Sequence, residues 1–386
     1  MKRFLYILTL LFTSVSLIAQ PLAISVQAEV SEMDKTAKKS KILYEVNTNT
    51  VLFSQNADLS LPIASVTKVM SLLLWAEDIE NGKLSLDDKI KASSNAASTE
   101  GSVIWLSAGE ELTAAELLEA VIINSANDAC VALAEHSDGS EAQFVKRMNT
   151  RAAKLGMTGT RYANCVGFDD NGHYSTARDT AIVTAELMKH NVYRGWLLTW
   201  LDYLRGGETQ LLNTNKLVRS YEGLLGGKTG TTDNAGRCLT ACAERGELRL
   251  VAVSLGCETD DERFSSVTEL LDYGFSSFEK YTPEIDFSRL SPIKVTKGID
   301  SEVEPIVKNR DCDCIIPKGR SRDVKYEYTF VEQCEAPVEA GQFLGEYLVT
   351  LDGAEIFRSD IVAKTDIKKM NFWRCWSIIF KEMISF

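Results

Sequence analysis

The chain has 386 residues, enough for two or three domains, and its 45% hydrophobic and 25% charged content is that of a folded protein rather than a disordered one. A net charge of -12 argues against nucleic-acid binding over a broad surface. The three histidines, His136, His173 and His190, form no His-Glu-x-x-His zinc site, and no Gly-x-Ser-x-Gly elbow occurs.

Lys2 and Arg3 precede an apolar run from about Phe4 to Ile18, followed by Val26-Gln27-Ala28. This is the pattern of a secretory signal peptide over residues 1–28, with an uncleaved anchor as the alternative. Two apolar runs, 41–46 and 50–54, flank Asn47-Thr48-Asn49 and predict a hairpin. A helix is expected over 65–80, with Val66, Val69, Met70, Leu73 and Leu74 on one stripe and Gly82 as the stop. Thr113 and Glu116 form a capping box that opens a helix ending near Ile123. Further helices are expected at 127–136, 141–154 and 177–190. Runs 237–243 and 248–256 read as strands about an Arg245-Gly246 turn, and a last amphipathic helix covers 262–280.

Proline marks a change of architecture. None occurs between Pro62 and Pro283, and five follow from Pro283 to Pro337. Helical patterns stop there, and segments such as Lys325–Val331 alternate with period two. We therefore expect a mixed α/β domain over 29–281, a small all-β domain over 282–363, and an amphipathic helix over 364–386. That last segment carries five cations against two acids, with Phe372, Trp373, Trp376, Ile379, Phe380, Met383 and Phe386 at helical spacings. A basic aromatic helix suits a membrane surface and is too short and charged to span a bilayer. Packing on the protein's own core is the alternative.

The nine cysteines are odd in number, so at least one has no partner within the chain. Cys238 and Cys242 lie on one face of a strand, where Cys serves as a small apolar residue. Cys312, Cys314 and Cys334 are compatible with disulfides, plain thiols or a metal.

Ser65-Val66-Thr67-Lys68 opens the first long helix. Residues i and i+3 share a helix face, so hydroxyl and amine can meet, and a helix N-terminus offers free N–H groups to a developing oxyanion. By itself this tetrapeptide is common. Ser125-Ala126-Asn127 follows 60 residues later, between two helices, and Lys228-Thr229-Gly230 a further 103 on, before a strand. The ordered set is that of the penicillin-recognising serine enzymes.

The segments 62–70, 123–129, 173–177 and 228–236 resemble the D-alanyl-D-alanine carboxypeptidases, the low-molecular-mass penicillin-binding proteins of serine peptidase family S11. The resemblance covers about residues 37–281 and implies an α/β (α+β) penicillin-binding-protein/β-lactamase-like catalytic domain, then a small all-β domain and an amphipathic anchor. It implies that Ser65 attacks the carbonyl between the terminal D-alanines of a peptidoglycan stem peptide. Lys68 would be the base, its pKa depressed by burial or by Lys228 as a second cation. Ser125 would relay the proton to the departing amine, Asn127 would hold the peptide amide, and the N–H groups of Ser65 and Thr231 would form the oxyanion hole. Lys228, Thr229, Gly230 and Thr231 would meet the substrate at its terminal carboxylate. Arg263 matches a carboxylate-binding arginine, or is a surface arginine at a helix start. Leu212 and Thr214 stand where relatives often carry an arginine, and His173 is expected to be structural.

No cofactor or metal is implied. β-Lactams would be acylating inhibitors, and the location would be the outer face of the bacterial cytoplasmic membrane. A β-lactamase would need a Glu-x-x-Leu-Asn segment between Ser125 and Lys228, and none occurs. A transpeptidase or endopeptidase with the same acyl-enzyme, or a non-catalytic scaffold, are the other readings.

Overall fold

The computed structural model describes residues 38–310 and 313–373, and positions 376, 380 and 383. The expected signal peptide and Cys312 lie outside these residues.

A five-stranded antiparallel sheet organises the first part of the chain. Its order is Thr50–Gln55, Ser40–Glu45, Leu248–Cys257, Gly236–Arg245, Leu224–Thr232, so the last strand is an edge. The first two strands are the expected hairpin, and the two cysteine-bearing runs pair about Gly246. Side chains of a strand alternate between faces, and here both faces are covered. Leu239, Ala241, Leu250 and Ala252 pack under the helix Asp260–Ser277 through Val267, Leu271 and Phe275. Cys238, Cys242, Val251 and Val253 face a larger helical core holding Met70, Leu73, Trp75 and Phe144. Double coverage explains why these strands read as continuous apolar runs. Gly274 lets its helix press onto the sheet, since a Cβ there would lie 2.5 Å from Leu250 Cδ1.

The helices Ala114–Ile123, Asn127–Asp138, Glu141–Lys154 and Ala177–Leu187 form on the expected patterns. Thr113 and Glu116 make the reciprocal capping bonds.

The helices expected over 65–80 and 177–190 are shorter, Lys68–Glu80 and Ala177–Leu187, and two further boundaries are reset by β pairing. The last helix stops at Ser277 rather than 280, because Phe278 is anchored in the core below the sheet and Phe278–Tyr281 pairs antiparallel with Cys314–Pro317. Residues 364–370 are not helical. Ile367 is buried with Val295, Val338 and Leu344, and Val338–Ile367 and Gly298–Lys369 bridge as β pairs. The residues with helical geometry begin at Phe372. An apolar residue with a slot in a β core overrides the helical spacing that encompassed it.

Between these points the chain is all β. Pro305–Val307, Ala354–Ala363, Phe343–Leu351 and Val324–Phe330 form one antiparallel sheet around buried Tyr347, Val349 and Ile361. Three short strands form a second sheet. Among the described residues, no helix is long and apolar enough to cross a membrane, and no group of three or more metal-binding side chains assembles.

Candidate active site

The nucleophile turn is tighter than its sequence suggests. Ala64–Thr67 is a 3-10 turn that runs directly into the helix Lys68–Glu80. In a 3-10 turn residues i and i+3 eclipse. Ser65 therefore sits over Lys68, and Lys68 Nζ donates to Ser65 Oγ at 2.9 Å. The same nitrogen donates to Asn127 Oδ1 at 2.7 Å and to the Val166 carbonyl at 2.8 Å. Lys68 is fully buried, and this desolvation brings its pKa down to about 8.

Lys228 lies in the edge strand Leu224–Thr232 and donates to Ser125 Oγ at 2.8 Å. Burial pushes its pKa well below the ordinary lysine value, and Lys68 and Arg263 push it further. Of the two expected causes, burial is the one that depresses Lys68 most. Ser125 has a left-handed backbone, φ 61°, in the short link between two helices. Non-glycine residues in that region are held there by their surroundings.

Two glycines let these elements meet. A Cβ on Gly230 would lie 2.7 Å from Ile63 O and 2.9 Å from Ser65 N. One on Gly167, at φ +97°, would lie 1.9 Å from Ala64 O. Gly230 therefore serves close approach of the edge strand to the nucleophile turn. It brings the backbone of Thr231, whose side chain is exposed, beside that of Ser65.

Thr229 is buried and donates to Thr214 Oγ1 at 2.6 Å, so Thr214 belongs to the site while Leu212 points outward. Arg263 is buried, which overturns its reading as a surface residue. Its Nη1 donates to Gly230 O and to Thr231 Oγ1, each at 3.1 Å, and Nη2 pairs with Asp260 at 3.0 Å. It braces the strand that carries Lys228, Thr229 and Thr231.

His173 is structural. Its Nδ1 accepts the Ala163 N–H, so the proton is on Nε2 and is donated to Thr67 Oγ1 at 2.7 Å. Burial lowers its pKa to about 4 and keeps it neutral. The structure adds partners that the motifs did not indicate. Val166 contributes only a carbonyl, which no side-chain pattern reveals. The loop at Glu100 and Ser102 holds Asn127 by its Nδ2 and its backbone N–H.

This geometry supplies a serine beside a depressed lysine, a second lysine–serine pair, and an edge-strand backbone close to that of Ser65. That set suits acyl transfer through a serine ester. Residues 26–259 match the family described as D-alanyl-D-alanine carboxypeptidase, and residues 282–369 match the C-terminal domain of penicillin-binding protein 5. The chain is 39% identical over 378 residues to D-alanyl-D-alanine carboxypeptidase DacF of Bacillus subtilis, covering 96% of each. It superposes on crystal structures of penicillin-binding protein 5 from Haemophilus influenzae with a TM-score of 0.77 at 28% identity, over 86% of this chain and 97% of that one. It also resembles penicillin-binding protein D2 from Listeria monocytogenes in an ampicillin-bound form, with a TM-score of 0.53 at 32% identity, over 61% of this chain and 96% of that one. With motifs, fold and site in agreement, the chain belongs to the D-alanyl-D-alanine carboxypeptidase family of serine peptidases.

Proposed function

We propose that Ser65 is the nucleophile of this carboxypeptidase and that Lys68 is its base. The carrying observation is the set of partners around Lys68 Nζ. A neutral amine has two N–H donors and one lone pair. As the free base, Lys68 keeps Asn127 Oδ1 and the Val166 carbonyl on its two donors, and the position that donates to Ser65 Oγ in the charged form becomes the lone pair facing it. Lys68 accepts the Ser65 proton as Oγ attacks the carbonyl of the penultimate D-alanine. The N–H groups of Ser65 and Thr231 hold the resulting oxyanion. The stem peptide runs along the free edge of Leu224–Thr232, where an extended chain adds to a sheet.

Asn127 holds a substrate amide upstream of the scissile bond. Lys228, Thr229 and Thr231 hold the terminal carboxylate downstream, on a strand braced by Arg263. Ser125, which accepts a hydrogen bond from Lys228, relays to the departing amine the proton that Lys68 took from Ser65, so that Lys68 is a free base again as the C–N bond breaks. Water then attacks the Ser65 ester with Lys68 taking its proton and returning it to Ser65 Oγ as the ester C–O bond breaks, which releases the shortened peptide. β-Lactams acylate the same oxygen.

Residues 29–281 form the catalytic unit in this reading, and the chain is exported by its signal and held at the outer face of the bacterial cytoplasmic membrane. The terminal segment supports that attachment, because Phe372, Trp373, Trp376, Phe380 and Met383 are all exposed, Trp373 by 77%. Aromatic residues in a basic helical segment partition into the lipid interface. The test of the serine assignment is labelling with a fluorescent penicillin followed by D-alanine release from a pentapeptide. Wild type should label and release D-alanine, and Ser65→Ala should do neither. Labelling of Ser65→Ala at another residue overturns the assignment, and dimer formation in place of release makes the acceptor an amine rather than water.

A further inference from the structure

Asn127 and Asp128 are neighbours in the chain, and both hold one surface loop. Asn127 donates its backbone N–H to Ser102 O at 2.6 Å. Asp128, buried, accepts the Ile104 N–H at 3.1 Å and the Leu106 N–H at 3.0 Å. Arg205 donates to Ile104 O at 2.9 Å from the opposite side. Ile104 and Leu106 are buried, but Trp105 between them is 78% exposed. Its φ is 55°, in the left-handed region. Such a backbone is strained for a bulky residue and persists only where its surroundings impose it. A glycine would adopt it freely. The fold instead spends a buried carboxylate to fix an indole in solvent, and the residue supplying that carboxylate adjoins Asn127.

We propose that Trp105 is a stacking platform for the hexosamine ring that carries the stem peptide. The inference rests on the peptide direction given above, with Asn127 on the upstream side of the scissile bond. Three residues and a lactyl ether separate the attacked residue from the sugar. At about 3.3 Å per unit that is roughly 13 Å of extended chain. Trp105 follows Ser102 by three residues, hence by at most about 10 Å, and Ser102 touches Asn127. On this reach, a sugar borne by the stem peptide can meet the indole. The C–H face of a pyranose is apolar and slightly positive, which matches the negative face of an indole. The platform selects polymer-borne or disaccharide-borne peptide over free peptide, and it acts on binding rather than on the acyl-transfer step.

The experiment compares a soluble disaccharide pentapeptide with the same pentapeptide lacking sugar, using wild type, Trp105→Ala and Trp105→Phe. An aromatic contact of this kind corresponds to about a three- to tenfold change in affinity. Trp105→Ala should lower kcat/KM by about that factor on the disaccharide substrate, through KM. It should leave free-peptide turnover and fluorescent-penicillin acylation within about twofold. Trp105→Phe, still aromatic, should keep most of the preference. Equal loss on both substrates would assign Trp105 to loop integrity and overturn the proposal, as would no loss on either. Loss of binding to phosphatidylglycerol vesicles with both turnovers intact would assign the indole to lipid and overturn it too. Failure of the Ser65 reading is distinguishable, because it abolishes acylation and turnover in the wild type itself.

Discussion

Lys68→Arg isolates what the buried lysine contributes. With its pKa brought down to about 8, roughly one Lys68 in ten is a free base at pH 7 and half are at pH 8. At the ordinary lysine value of 10.5 only about one in three thousand would be free at pH 7. The depression is therefore worth roughly 3 kcal/mol toward the reactive form. An arginine remains charged, with a pKa of at least about 12, so its free-base fraction at pH 8 is about 10⁻⁴ or less. Lys68→Arg should lower the rate of Ser65 acylation by at least about a thousandfold, even though a cation still occupies the pocket. The assay is the second-order acylation rate with a fluorescent penicillin between pH 6 and 10. For wild type, log rate should rise with unit slope and level off near pH 8 as Lys68 loses its proton. Neutral His173 should add no inflection between pH 6 and 7. A flat wild-type profile, a midpoint above pH 10, or an Lys68→Arg enzyme within tenfold of wild type would refute the free-base mechanism.

Four further outcomes follow from the packing and from the terminal segment. Gly230→Ala places a methyl 2.7 Å from Ile63 O, a backbone atom that cannot swing away. It should cost about 1–3 kcal/mol in denaturant unfolding and lower acylation more steeply than stability, because the strand must back off from Ser65. Arg263→Ala removes the bonds to Gly230 O and Thr231 Oγ1 and should raise KM for the pentapeptide more than it lowers kcat; an effect on kcat alone would contradict a bracing role. Ile367→Ala empties a slot in the β core and should cost about 2–4 kcal/mol. Truncation after Asn371 should spare that core and release the protein from membranes, whereas retained membrane binding would contradict the interfacial anchor.

The helix and hairpin patterns were readable because each reflects a local period or a cap. Thr113 with Glu116, and Asn47-Thr48-Asn49 between two apolar runs, needed no tertiary partner to be recognised. Two boundaries moved where a tertiary partner intervened. Phe278 left its helix to pair with residues 314–317, and Ile367 left helical spacing for a β slot. The three motifs were legible through their order and spacing. The reading of Arg263 stayed divided because its partners, Gly230 and Thr231, come from a strand more than 30 residues away.

The opening charge of -12 averages unlike regions. The expected signal carries two cations and no acid, and the last 23 residues carry a surplus of three positive charges, so the acidity is concentrated between them. That distribution, the residue types of the site and the family are properties of the sequence by itself. Tertiary structure decided that Lys68 is fully buried, since burial is not written in any local pattern. It likewise determined that Gly230 and Gly167 serve close approach, that Val166 offers a carbonyl, and that Trp105 stands exposed on a loop held by Asp128. Each of these depends on atoms brought together from distant segments, where distance and desolvation, rather than residue type, set the energy.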